Sequence, residues 1–160
     1  MKHTISCLVR NEPGVLAHVA RRFGDEGINI YSLAAGTTED DAVSRMTIVV
    51  AGDDETVARV EQVIEDLPNV LEVEDLASDE FFARELLLVK VAIGSESISR
   101  LMQMAEMFDA RVIGVTARTM TFELAAEDHR IDAMLRLLEP MNIVSVARSG
   151  RIAVSAGDKG

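Results

Sequence analysis

The sequence predicts an α+β chain built from two tandem βαββαβ units, and three observations carry that expectation. Apolar residues recur at helical spacing in several separate segments. Short runs rich in β-formers flank each of those segments. The order strand, helix, strand, strand, helix, strand then occurs twice at an interval of about 80 residues, with little residue identity between the copies. Two strand-helix-strand pieces joined by a hairpin form a four-stranded antiparallel sheet with both helices on one face, the split ferredoxin-like arrangement.

The first copy opens with a buried strand over residues 4–9. Pro13 suits the first position of a helix, so the next element is expected from about residue 13 to 26. Within it Val15, Leu16, Val19 and Phe23 share the face that packs, while Arg21 and Asp25 face water. Gly27 ends the helix, and a second strand follows over 28–35. Residues 36–41, two Thr and three acidic side chains after a Gly, read as an exposed hairpin loop. A third strand covers 44–50. Asp53 caps a helix with Val57, Val60, Ile64 and Leu67 on one side, Pro68 and Asn69 stop it, and 70–76 is the fourth strand.

Residues 78–85 break the pattern with Ser78, Asp79 and Glu80 and are assigned as a linker. The domains expected on either side are 1–77 and 86–160. After the linker an apolar strand over 86–93 is interrupted only by Lys90. Ser95 or Ser97 caps a helix with the stripe Ile98, Leu101, Met102, Ala105 and Phe108. Strands at 111–115 and 119–124 surround a short turn. Asp128 opens a helix with Ile131, Met134, Leu135 and Leu138 inward, Pro140 ends it, and a last strand starts at 143. The tail from 155 to 160 is expected to be loose. Each unit leaves one sheet face bare, which another layer or a second copy must cover, so a dimer at least is expected.

Composition excludes several classes. The net charge of -11 disfavours nucleic acid, whose phosphates need a basic surface. Residues 1–76 hold 6 basic and 15 acidic side chains, whereas 77–160 hold 10 and 12. No run approaches the roughly 18 apolar residues of a membrane span, and the amino terminus lacks a signal peptide, so a cytoplasmic protein is expected. Trp is absent and aromatics make up 4% of the chain, too few for stacking platforms. Cys7, the single cysteine, reads as a core residue of the first strand.

No catalytic constellation is found. His3, His18 and His129 lie apart, without paired cysteines, and read as surface or rim side chains. The glycines at 24 and 27 make no dinucleotide fingerprint, and Ser149 lacks the glycines of a nucleophile elbow. What stands out is the stretch 10–33. Asn11 can cap the helix or contact a ligand, and Gly14 lets a ligand approach the first turn. Free N–H groups and a partial charge of about +0.5 make that helix end a seat for a carboxylate. A binding or regulatory protein is the class these residues support.

The run Asn11-Glu12-Pro13-Gly14-Val15-Leu16, followed by Gly27-Ile28-Asn29-Ile30 and Ser32-Leu33, resembles an ACT domain, a module that binds amino acids at a subunit interface. With Ser44-Arg45-Met46-Thr47, Arg84-Glu85-Leu86, Leu88-Val89-Lys90-Val91 and Val146-Ala147-Arg148-Ser149-Gly150, nearly the whole chain is similar to the small regulatory subunits of acetolactate synthase (acetohydroxyacid synthase). The resemblance implies a non-catalytic partner of a large catalytic subunit in branched-chain amino-acid synthesis. Thiamine diphosphate, Mg and FAD would belong to that partner, with no cofactor in this chain. It also implies feedback inhibition by valine, held between two ACT domains of a homodimer. Asn11, Pro13, Gly14, Val15 and Leu16 of one copy and Asn29 and Ile30 of the other would form the site, with Val15, Leu16 and Ile30 receiving the isopropyl group. His18 and Arg21 stand where this family typically has Arg and Gly. A free-standing ACT-domain sensor that regulates another enzyme or a transcription factor is the alternative.

Overall fold

A computed structural model of the chain describes residues 2–76, 80–94 and 97–157, apart from the side chain of Asp54. Ser95, residue 77, residues 78–79 of the expected linker and 158–160 of the tail lie outside them. The elements run β1 (Lys2–Arg10), α1 (Val15–Asp25), β2 (Ile30–Thr37), β3 (Val43–Ala51), α2 (Asp54–Glu65) and β4 (Val70–Asp75). They continue with β5 (Phe81–Ala92), α3 (Ile98–Phe108), β6 (Arg111–Val115), β7 (Thr119–Ala126), α4 (Asp128–Leu138), β8 (Ile143–Arg148) and β9 (Ile152–Ser155). The tandem α+β, ferredoxin-like fold expected from the periodicity is present. Among the described residues no helix is long and apolar enough to cross a membrane.

In the first unit the antiparallel strand order is β2-β3-β1-β4, and Cys7 stands opposite both Met46 and Val73. Side chains alternate across a sheet, so Ile5, Cys7 and Val9 share a face with Met46, Ile48 and Val50. That face packs against Val15, Val19 and Phe23 of α1 and Val60 and Ile64 of α2. Full burial of one such side chain contributes roughly 1.5–3 kcal/mol. Gly27, at φ 69°, ends α1 in a left-handed turn. Ile28 N–H then reaches Phe23 O at 2.9 Å and Gly27 N–H reaches Gly24 O at 3.0 Å, the paired bonds of a Schellman end. At α2, Asp53 accepts from Thr56 N–H at 2.9 Å, as a cap should.

The opposite face of this sheet is not bare. Thr4, Ser6, Thr47 and Val49 are buried there. The chain's own β9 lies on β1 and β3, burying Ala153. Ala153 N–H points to Thr47 Oγ1 at 3.4 Å. The same strand pairs with β5, and Ala156 N–H donates to Glu80 O at 2.9 Å. Residues 152–155, the last of which was expected to begin a loose tail, are therefore a strand.

In the second unit the order is β6-β7-β5-β8. Leu87, Val89, Val91, Met120, Phe122 and Leu124 form the sheet side of a core closed by Leu101, Ala105 and Phe108 of α3 and Ile131, Met134 and Leu138 of α4. Lys90 stands opposite Thr121 and Ser145 on the other face, so it interrupts the apolar run without entering the core. On α3 the stripe differs from expectation: Met104 is buried, while Ile98 and Met102 are exposed.

The unit boundaries also differ from the expected 1–77, 78–85 and 86–160. Among the described residues, one compact unit comprises those up to 82 with 151–157, and the other those within 83–150. The physical reasons are long-range. Residues 81–85 belong to β5, where Glu85 stands opposite Ala126 and its carboxylate is neutralised by Arg148 on the neighbouring strand. Residues 151–157 join the first unit because β9 packs on its sheet.

Candidate functional site

Helix α1 begins at Val15, two residues later than Pro13 predicts. Gly14 is its N-cap residue and has φ 88°, a left-handed conformation that interrupts helical geometry between Pro13 and the helix proper. Nothing lies within 4 Å of where a Cβ on Gly14 would sit. Glycine is required here by backbone conformation, and the space beside it is open. The first helical bond runs from His18 N–H to Gly14 O at 3.0 Å. The N–H groups of Leu16 and Ala17 precede it, in the turn where helix donors are left without i−4 partners. No acidic side chain occupies that first turn.

Asn11 does not cap α1. Its Nδ2 donates to Asp41 O at 2.8 Å, and its backbone N–H donates to Ala42 O at 2.8 Å. These bonds tie the β1–α1 loop to the β2–β3 hairpin and leave the amide oxygen of Asn11 as an acceptor. Val15 is 3% exposed and packs in the core, so it supports the loop from below and does not line its outer side. Leu16, expected on the packing face with it, points outward at 45% exposure. Asn29 is exposed and Ile30 half-buried at the start of β2. Within one chain the crevice beside α1, lined by Val15, His18, Val19, Leu67 and Asn69, holds about 10 Å³. That is room for a water and far less than an amino acid.

The remaining chemistry is structural. Burial pushes the Cys7 thiol up to about 12, against a smaller opposing influence of Arg45, so the thiolate is not formed near neutrality. His3, expected at the rim, is buried on the helix side of β1 with Nδ1 3.5 Å from Asp75 Oδ2. A larger surface notch of about 260 Å³ in the second unit is lined by Arg84, Phe108, Asp109, Glu127, His129 and Arg130. Several of its charged groups already have partners: Glu127 meets Arg84 at 3.6 Å and His129 at 3.4 Å, and Arg130 donates to Phe108 O at 3.2 Å.

Sequence reading missed one group of residues entirely. Arg151 N–H donates to Ser32 Oγ at 2.9 Å, and its guanidinium donates to Thr4 Oγ1 at 2.6 Å. No local signal marks it, since the partners are separated by more than a hundred residues of chain.

Residues 5–72 match the family model of the acetohydroxyacid synthase small subunit-like ACT domain, and residues 84–157 match the model of the small subunit of acetolactate synthase. The acetolactate synthase small subunit of Mycolicibacterium smegmatis is 37% identical over 158 residues, covering 99% of this chain and 93% of the relative. The probable small subunit of Archaeoglobus fulgidus is 38% identical over 159 residues and 99% of both chains. The crystal structure of the acetolactate synthase small subunit from Thermotoga maritima superposes with a TM-score of 0.90 over 99% of each chain, at 30% identity. Matched end to end by sequence and by fold, the chain belongs to the family of acetolactate synthase small subunits.

Proposed function

We propose that this chain is the non-catalytic regulatory subunit of acetolactate synthase, that it activates the large thiamine-diphosphate-dependent subunit, and that it confers feedback inhibition by valine. The observation that carries the effector reading is Gly14. It holds φ 88° beside open space at the start of a helix whose first turn bears no acid. Membership of the family along the whole chain supports the partner.

In this reading the effector carboxylate takes the N–H groups at the start of α1, where the helix dipole favours a negative charge. The amide oxygen of Asn11, fixed by the bond to Asp41 O, accepts from the ammonium. Leu16 and Ile30, with their apolar surface open or partly open, take the branched side chain. Asn29 and Ile30 act from a second copy, as the resemblance to ACT domains implies. A pocket separates side chains one methylene apart by only about 1–3 kcal/mol, so leucine and isoleucine compete to a degree set by small contacts.

The experiment is calorimetric titration of valine into the purified wild type and Gly14→Asp. The wild type is expected to bind saturably. Gly14→Asp places a carboxylate at the anion seat and is expected to give no heat. A silent wild type, or unchanged affinity in the variant, contradicts the reading.

A further inference from the structure

Arg151 bridges a row of three residues on the face of the first sheet that β9 covers. Thr4 on β1 and Ser32 on β2 both stand opposite Val49 of β3, so the three side chains lie side by side on one face. The Arg151 backbone N–H holds Ser32 and its guanidinium holds Thr4, while Val49 between them is buried. One residue of the C-terminal segment therefore pins an edge strand to a central strand.

The pinned position on β2 lies next to the proposed effector site. Ile30 stands opposite Val50 and Ser32 opposite Val49, so the register shifts between them and Tyr31 is left out and exposed. A bulge of this kind is where a strand changes direction most readily. An effector seated on Asn29 and Ile30 acts on one side of the bulge, and Arg151 grips the other side through Ser32. In sequence Arg151 directly follows the last residue of the second unit.

We propose that Arg151 is a positioning residue that couples effector binding at the start of β2 to the second unit, by making its bond to Ser32 in one state of β2 and not in the other. The inference rests on the effector reading above. Coupling requires a contact that differs between two states, and a hydrogen bond to an edge strand beside a bulge supplies one.

The test uses Ser32→Ala, which removes the acceptor of the Arg151 backbone N–H, together with Arg151→Ala and Thr4→Val, which remove only the guanidinium contact, the last keeping the branched shape of Thr4 so that packing is preserved. Valine affinity of the isolated subunit is measured by calorimetry, and activation and valine inhibition are measured with the reconstituted holoenzyme. Affinity of the isolated variants should stay within about twofold of the wild type while half-inhibition of the holoenzyme shifts about tenfold or more, the scale of an ordinary coupling that is lost. Activation should persist. A residue serving only the fold would not separate binding from inhibition in this way. Unchanged inhibition in Ser32→Ala and Thr4→Val overturns the proposal. Loss of valine binding in the isolated variants also overturns it, because Arg151 would then be scaffolding for the site itself. A wild type that binds no valine defeats the effector reading before any variant is compared, and this inference with it.

Discussion

Arg148 grips Glu85 with two parallel hydrogen bonds, 2.8 Å from Nε to Oε1 and 2.7 Å from Nη2 to Oε2. Glu85 is 6% exposed, and Arg148 also donates to Asp132 Oδ1 at 2.9 Å. The pair joins β8 to β5 and, through Asp132, to α4. These bonds raise the Arg148 pKa, Glu85 first among the causes, so the guanidinium stays charged at any working pH. Truncating Arg148→Ala strands a buried carboxylate and is expected to lower stability by about 2 kcal/mol, less than for a fully buried pair because Arg148 is partly wet. Arg148→Lys restores charge without the bidentate geometry and should fall between. Urea unfolding of the three proteins measures both differences.

Helix α2 carries two acidic groups whose pH dependences have opposite signs. The Thr56 hydroxyl and N–H hold Asp53 below its ordinary value of 3.8, so its stabilisation is present above that pH and fades as pH falls further. Glu61 is raised from 4.5, by burial first and the nearby Asp75 charge second. Folding therefore favours its protonated form, and the penalty it carries at neutral pH disappears below about 4.5. Glu61→Gln is expected to raise Tm at pH 7 and to match the wild type near pH 4, whereas Asp53→Ala lowers Tm at pH 7 and approaches the wild type only in stronger acid. Melting curves across that range check both signs.

Cys7 should be silent to thiol reagents in the native protein. Its thiol is buried and pushed up to about 12, so both access and thiolate fraction are minimal. Alkylation followed by mass spectrometry should show modification only when denaturant unfolds the first unit.

Much of this fold is written in local pattern. The Val15, Val19 and Phe23 stripe, the Asp53 cap and the Gly27 stop each read correctly because helix periodicity and end chemistry depend on neighbours in sequence. Residues 152–155 defeated the same reasoning. There the small Ala153 faces the sheet, with its N–H toward Thr47 Oγ1, while Ile152 and Val154 are exposed, the reverse of what hydrophobic alternation suggests. The strand at 81–85 was hidden because the polar run Ser78, Asp79 and Glu80 marks a linker locally, while the partner of Glu85, Arg148, lies far along the chain. In the candidate site, the turn at Gly14 was legible as chemistry, but its consequence was not. A left-handed Gly14 delays the helix and turns Leu16 outward while Val15 goes into the core.

Gly14→Ala separates conformation from charge at this turn. A Cβ meets open space, so the change should cost about 1–3 kcal/mol of backbone strain and no clash. Valine affinity should weaken but survive, unlike the expected outcome for Gly14→Asp. Calorimetry beside a thermal melt distinguishes the two effects.

The central claim is tested most directly by the rate of acetolactate formation by a large catalytic subunit, measured alone, with this chain, and with this chain plus valine. The account predicts that adding the chain raises the rate, that valine lowers it again, and that Gly14→Asp preserves the rise while abolishing the fall. A catalytic subunit whose rate is unaffected by the wild-type chain, with or without valine, would contradict it.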